Sequence, residues 1–173
     1  MVPELFSRRR GAFEAVAADL QAASGSELQL EALESPAAVN VRGLPGDADF
    51  LNAVEEAIGV SLPTSANRWN RGAGHDALWL GPDEWLVVGA AGGAREIENA
   101  LLRAQPDNPW LSVVDLSHSY SRVCLSGPRA RELLAKGCPL DLQPRAFGPG
   151  DCVQTVLAAT RVLLRVLEDP PAI

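Results

Sequence analysis

Ser117-His118-Ser119 sets a hydroxyl on each side of one of the chain's two imidazoles, the residue types of a nucleophile and its general base. Catalytic groups of that kind meet through folding rather than as neighbours in sequence. No Gly-x-Ser-x-Gly elbow accompanies them either, so the stretch reads as a turn at a strand edge. Adjacent Asp83 and Glu84 are the residue types of an acid and base pair, yet neighbours on a tight turn point apart, whereas paired carboxylates must converge on one bond. Gly89-Ala90-Ala91-Gly92-Gly93 fits neither the dinucleotide fingerprint nor a phosphate loop ending in Lys-Ser or Lys-Thr. Cys124, Cys138 and Cys152 are odd in number and contain no C-x-x-C pair, so they read as reduced thiols. With only His75 and His118, a metal would depend on carboxylates that the spacing does not group, and none is expected. The sole lysine, Lys136, reads as a cation at a helix C-terminus. The four tryptophans are too scattered for a base-stacking platform. Trp79 and Trp85 fall in strand patterns, whereas Trp69 and Trp110 lie in loop-like stretches, where an exposed indole marks a protein contact. No catalytic, cofactor-binding or metal-ligating residue is expected.

The elements that would position these residues come in a recurring order. Residues 11–23 carry Phe13, Val16, Ala17 and Leu20 at helical spacing, so residues 1–26 form a helix or a mobile arm ahead of the main domain. From Glu27 to Leu33 polar and apolar residues alternate, and they do so again from Ala38 to Gly43, predicting a first strand pair. Asp47 or Asp49 caps a helix with Phe50, Val54, Ala57 and Ile58 on one face and Gly59 as its stop. A long aperiodic loop follows over residues 61–74. Strands 77–80 and 85–88 flank Gly81-Pro82-Asp83-Glu84 as a hairpin. A second helix carries Ile97, Leu101 and Ala104 and ends before Pro106 and Pro109. Strands 111–116 and 120–125 make a third pair, Gly127-Pro128 opens a third helix over 129–136, and strands 152–158 and 161–167 a fourth pair. Strand, strand, helix, three times over, predicts an α+β domain over residues 27–173 with a mixed or antiparallel sheet and helices on one side, built by duplication of a split βαβ unit. The last unit stops short, so the domain reads as incomplete at its C-terminus.

At 173 residues, 47% of them hydrophobic, the chain is long enough for one well-cored domain. A net charge of −7 repels phosphate backbones, so nucleic acid is not an expected partner. No apolar run reaches the length that spans a bilayer, and the N-terminus lacks an apolar signal core, so no membrane contact and a cytoplasmic location are expected.

Several short motifs occur in one order between residues 28 and 167: Leu62-Pro63-Thr64 with Asn67, Leu78-Trp79-Leu80-Gly81-Pro82-Asp83-Glu84-Trp85-Leu86, Val114-Asp115-Leu116-Ser117, Leu125-Ser126-Gly127-Pro128, Ala135-Lys136-Gly137-Cys138-Pro139-Leu140-Asp141-Leu142, and Thr155. With them the chain resembles the gamma subunit family of heterotetrameric sarcosine oxidase. The resemblance implies a fold like the folate-binding domain of the glycine-cleavage T protein. It also implies alpha, beta and delta subunits as partners in an enzyme that oxidises sarcosine to glycine and makes hydrogen peroxide. The one-carbon unit passes to tetrahydrofolate or leaves as formaldehyde. FAD, FMN, NAD, zinc and tetrahydrofolate are then expected on the partner subunits, and no catalytic residue falls to this chain. Two departures stand out: Gln143 replaces an expected histidine, and the resemblance implies a further strand and helix after the last strand here. A second class is a stand-alone folate-binding protein of the aminomethyltransferase kind, and a third is a stand-alone adaptor that uses the same fold for protein contacts. The iron-sulfur-maturation relative of the second class carries Lys-Gly-Cys-Tyr-x-Gly-Gln-Glu, of which Lys136-Gly137-Cys138 matches only the opening. For the gamma-subunit reading, the loops at 62–74 and 137–147 are the expected contact surfaces, with Trp69, Cys138, Pro139, Asp141, Pro144 and Phe147 as their expected contact residues and Trp110 as one outside them.

Overall fold

The structure, a computed structural model, describes residues 13–167 and 173. A 3-10 turn over Glu14–Val16 leads into helix α1 (Ala17–Ala22), shorter than its apolar spacing predicts and with no fully buried side chain. Ser24 ties it down: its Oγ donates to Leu20 O and accepts from the Leu30 N–H, both at 2.9 Å, in strand β1 (Gln29–Leu33).

The main sheet grows from β2 (Ala37–Arg42). Helix α2 (Ala48–Ile58) follows, capped by Asp47, whose carboxylate accepts from the N–H groups of Asp49 and Phe50 at 3.0 and 3.1 Å, and closed by Gly59 at φ 69°. Next come β3 (Trp69–Arg71), β4 (Asp76–Gly81), β5 (Glu84–Gly89), helix α3 (Ala94–Ala104) and β6 (Ser112–Asp115). The five strands pair antiparallel in the order β3-β4-β5-β2-β6. Leaving aside β3, this is a βαββαβ unit with the fourth strand beside the first and the third beside the second. Phe50, Val54 and Ile58 of α2 and Ile97 and Leu101 of α3 bury one face of the sheet through Val39, Val41, Ala77, Trp85 and Val87. Trp85 is fully buried, and its indole N–H is satisfied by Pro63 O at 2.8 Å.

The opposite face is covered as well. Ala38, Leu78 and Leu86 pack with Trp69 and Cys152, flanked by Leu163 and Leu167. Covering both faces explains why β2 is buried from Ala37 to Val41 although its sequence only half suggests it. Asn40, the one polar side chain there, donates to Glu84 Oε1 at 2.8 Å. Two smaller antiparallel pairs complete the fold: β1 with β7 (Arg122–Ser126), and the hairpin of β8 (Cys152–Leu157) with β9 (Thr160–Arg165). Between β7 and β8 lies helix α4 (Ala130–Ala135), whose Ala130 and Leu134 enter a second core with Leu125, Cys138, Leu142, Phe147 and Val166. Ile173 joins this core and exchanges both backbone hydrogen bonds with Leu125, each at 2.9 Å.

The fold class is therefore α+β with antiparallel sheets, and the 81–84 hairpin and the β8–β9 pair form as the sequence predicts. The first and third strand pairs do not form. β1 crosses to β7, and β2 pairs with β5 and β6. A strand buried on both faces belongs inside a sheet, where both its edges are taken. The Glu34-Ser35-Pro36 link also offers no glycine or asparagine for a tight hairpin. Nor is the 61–74 stretch wholly irregular, since β3 lies within it and pairs with β4.

Candidate functional site

The residues expected at a subunit contact divide into anchors and outer surface. Trp69 is not in an exposed loop. It is in β3, 8% exposed, with its indole N–H donating to Val166 O at 3.1 Å, because the third core needs a large side chain between the main sheet and β9. Cys138 and Phe147 also turn inward, into the second core with Leu142. Arg131 holds their loop from beneath, with Nη1 donating to Leu142 O and Phe147 O at 2.6 and 2.7 Å. Pro139, Asp141 and Pro144 are left on the outer side of the 137–147 segment, and Gln143 and Arg145 are exposed with them. Trp110 is the most exposed large apolar side chain among the described residues, at 66%, in the link between α3 and β6. The buried anchors belong to two separate cores, and Trp110 to neither.

The residues that resemble catalytic groups have structural work. Ser117 opens a 3-10 turn. Its hydroxyl donates to Asp115 Oδ1 at 2.5 Å and accepts from the Ala38 N–H at 3.1 Å, tying the end of β6 to β2. The Ser117 hydroxyl and N–H, with a smaller contribution from His118, hold the Asp115 carboxyl below its ordinary range. Asp83 pairs with Arg42 at 2.9 Å while Glu84 accepts from Asn40, so the two carboxylates point apart as the turn requires. Burial pushes the Cys152 thiol up to about 11, and its Sγ donates to Arg68 O at 3.1 Å. Cys138 Sγ lies 3.9 Å from Thr155 Oγ1. Lys136 approaches Glu132 at 4.0 Å, one helical turn back. Among the described residues no three His, Cys, Asp or Glu side chains are placed to hold a metal ion.

A cavity of about 350 Å³ opens between the main sheet and the start of β7, a feature the sequence reading missed. Arg71 at the end of β3, His75 and Asp76 at the turn into β4, Gly89 at the end of β5 and Arg122 at the start of β7 line it. Close packing sets its walls. A Cβ on Gly72 would lie 2.2 Å from Gly59 O, and one on Gly89 would lie 2.8 Å from the His75 ring. His75 Nδ1 lies 2.7 Å from Ile58 O, a contact that requires the proton on Nδ1 and points Nε2 away from the carbonyl. Asp76 accepts from Arg165 at 2.6 Å and lies 3.7 Å from Arg71. The guanidiniums of Arg71 and Arg165 both lie over the Trp69 ring, 5.0 and 4.9 Å from its centre. Arg122 is fixed by two hydrogen bonds to Glu34 O, at 3.1 and 2.8 Å. Arg71, Arg122 and Arg165 come from distant stretches of the sequence, and nothing in their spacing brings them together.

A βαββαβ sheet backed by a second strand layer, with Cys138 and Cys152 buried and its serine–histidine stretch spent on a turn, defines a small α+β module. The known proteins it matches agree among themselves. A family model described as the sarcosine oxidase gamma subunit family covers residues 42–170. The chain is 39% identical over 158 residues to the sarcosine oxidase subunit gamma of Corynebacterium sp. (strain P-1), spanning 91% of this chain and 76% of that relative. It is 37% identical over 163 residues to the subunit of the same name from Arthrobacter sp., spanning 93% and 78%. A chain of the heterotetrameric sarcosine oxidase from Corynebacterium sp. U-96, solved in complex with pyrrole 2-carboxylate, superposes with a TM-score of 0.81 at 34% identity, covering 91% of this chain and 80% of that one. The chain belongs to the sarcosine oxidase gamma subunit family.

Proposed function

We propose that this chain acts as the gamma subunit of a heterotetrameric sarcosine oxidase, joining alpha, beta and delta subunits without an active site of its own. The assembled enzyme oxidises sarcosine to glycine with formation of hydrogen peroxide, and the one-carbon unit passes to tetrahydrofolate or leaves as formaldehyde. FAD, FMN, NAD, zinc and tetrahydrofolate reside on the partner subunits, and the complex works in the bacterial cytoplasm. The observation that carries this reading is the superposition on a chain of such a heterotetramer over 91% of the present chain. The surface supports it: Trp110 and the outer side of the 137–147 segment present aromatic, proline and paired charged groups on a rigid frame. Among the described residues no helix is long and apolar enough to cross a membrane.

The fold reading goes one step further. β7, α4, β8 and β9 follow the order of the first four elements of a second βαββαβ unit, with β1 beside β7 where that unit's last strand would lie. That order supports a fold built like the duplicated folate-binding domain of the glycine-cleavage T protein, although β7 and β9 lie in separate strand pairs.

Co-expression of the tagged chain with the other three subunits, followed by pull-down and an absorbance spectrum, tests the function. A yellow complex that makes peroxide only when sarcosine is supplied is the expected result. A colourless chain that elutes alone and binds tetrahydrofolate would overturn it in favour of the stand-alone folate-binding class.

A further inference from the structure

The cavity between β3, β4, β5 and β7 carries a charge imbalance that the chain as a whole does not. The full sequence has a net charge of −7, yet Arg71 and Arg165 both contact one carboxylate, Asp76, and Arg122 lines the cavity with it. Glu34 is the other carboxylate that Arg122 feels. Counting both against the three cations leaves about one positive charge unmatched. Asp76 is already committed, since Arg165 takes one oxygen at 2.6 Å and Arg71 stands 3.7 Å from the other. Burial, and after it the nearby charge of Arg165, lower the Arg122 pKa against the pull of Asp76 and Glu34, and an added anion would act in the same sense as those two carboxylates. Arg71 is held only by that long contact and by the face of Trp69, which leaves guanidinium N–H groups available at the cavity mouth.

We propose that this cavity is a binding site for a monoanionic carboxylate, held between the guanidiniums of Arg71 and Arg122. Asp76, Arg165 and Trp69 form the frame that positions them. The planar fork of arginine matches a carboxylate in two parallel hydrogen bonds, and one negative charge balances the local excess, where a phosphate dianion would exceed it. The carboxylate has two sources of the same chemistry, a free small acid or an aspartate or glutamate side chain of an adjoining subunit. The cavity is formed within this chain alone, and only the adjoining-subunit source rests on the gamma-subunit reading.

Acetate is the probe. The isolated full chain is titrated at constant ionic strength, with chloride as the balancing anion, and followed by its melting temperature and by the indole N–H resonance of Trp69. The expected result is a saturable rise in melting temperature with a matching shift of that resonance, and acetate binding about tenfold weaker in Arg71→Gln. Arg71 is exposed and Asp76 keeps Arg165, so this variant folds. In Arg122→Lys, which retains the charge and loses the fork, binding weakens likewise. Repeating the melts on the assembled complex separates the sources: acetate stabilises it too if the ligand is a free acid, and leaves it unchanged if a neighbouring subunit's carboxylate fills the cavity. Equal responses to acetate and chloride, or an unaltered acetate response in both variants, would overturn the proposal.

Discussion

The hydroxyl of Ser117 bridges two elements through one atom, accepting from the β2 backbone at Ala38 and donating to the carboxylate of Asp115 at the end of β6. Ser117→Ala removes the acceptor and leaves a backbone N–H without its partner. It is expected to lower the urea midpoint by the equivalent of about 1–2 kcal/mol with an unchanged m-value. Asp115 supplies a pH signature for the same contact. Its folded carboxyl lies below the ordinary 3.8, so the stability it contributes is present above that value and lost as pH falls through the depressed range. In Asp115→Asn the acid limb of a stability–pH curve should be shallower. Cys152 works in the opposite direction, because its folded thiol is raised from 9.0 to about 11. The protonated form is favoured in the folded chain, so its contribution is intact below pH 9.0 and lost as pH rises towards about 11. At pH 8 an alkylating reagent should therefore modify the partly exposed Cys124 well before the buried Cys138 and Cys152, as read by peptide mass mapping.

Glycines at two element ends carry different strains. Gly59 ends α2 at φ 69° with open space where a Cβ would go, whereas Gly127, at φ 104°, would place a Cβ 2.6 Å from Glu27 O. Gly59→Asn should cost little, since asparagine tolerates the left-handed region. Gly127→Ala should cost about 1–3 kcal/mol in a denaturant melt and loosen the β1–β7 pair, because Glu27 O also receives the Arg129 N–H at 3.1 Å. These ends were legible in the sequence: Asp47 or Asp49 as a cap, Gly59 as a stop, Gly127-Pro128 as a helix start, Pro82-Asp83 as a hairpin turn. Each is a local signal, fixed by residues within a turn of one another. Beyond the two tight hairpins, which strand meets which was not legible. Leu30 opposes Leu125, and Val41 lies between Trp85 and Val113, and those pairings depend on which faces are buried once helices and a second strand layer have docked. The same limit hid the cavity, whose arginines come from β3, β7 and β9, and it placed Trp69 in a loop when the third core required it inside.

At the scale of the whole molecule, Trp110 is the most exposed large apolar side chain among the described residues and belongs to no core. An indole that is 66% exposed is costly to leave in water and contributes little to the isolated fold, so its replacement separates assembly from stability. Trp110→Ser should leave the melting temperature of the isolated chain within a degree or two, as surface substitutions usually do. If Trp110 is central to a subunit contact, the same change should weaken capture of the other subunits by about 2 kcal/mol or more, over tenfold in affinity. Asp141→Lys tests the second surface, since it reverses a charge on the outer side of the 137–147 segment while Arg131 still holds the loop through Leu142 O and Phe147 O. A rim charge acts mainly on the association rate, so Asp141→Lys should slow assembly in a salt-dependent way, whereas Trp110→Ser should speed dissociation. Surface-capture kinetics at two salt concentrations separate the two effects. Neither rate changing in either variant would move the subunit contact to another face of the sheet.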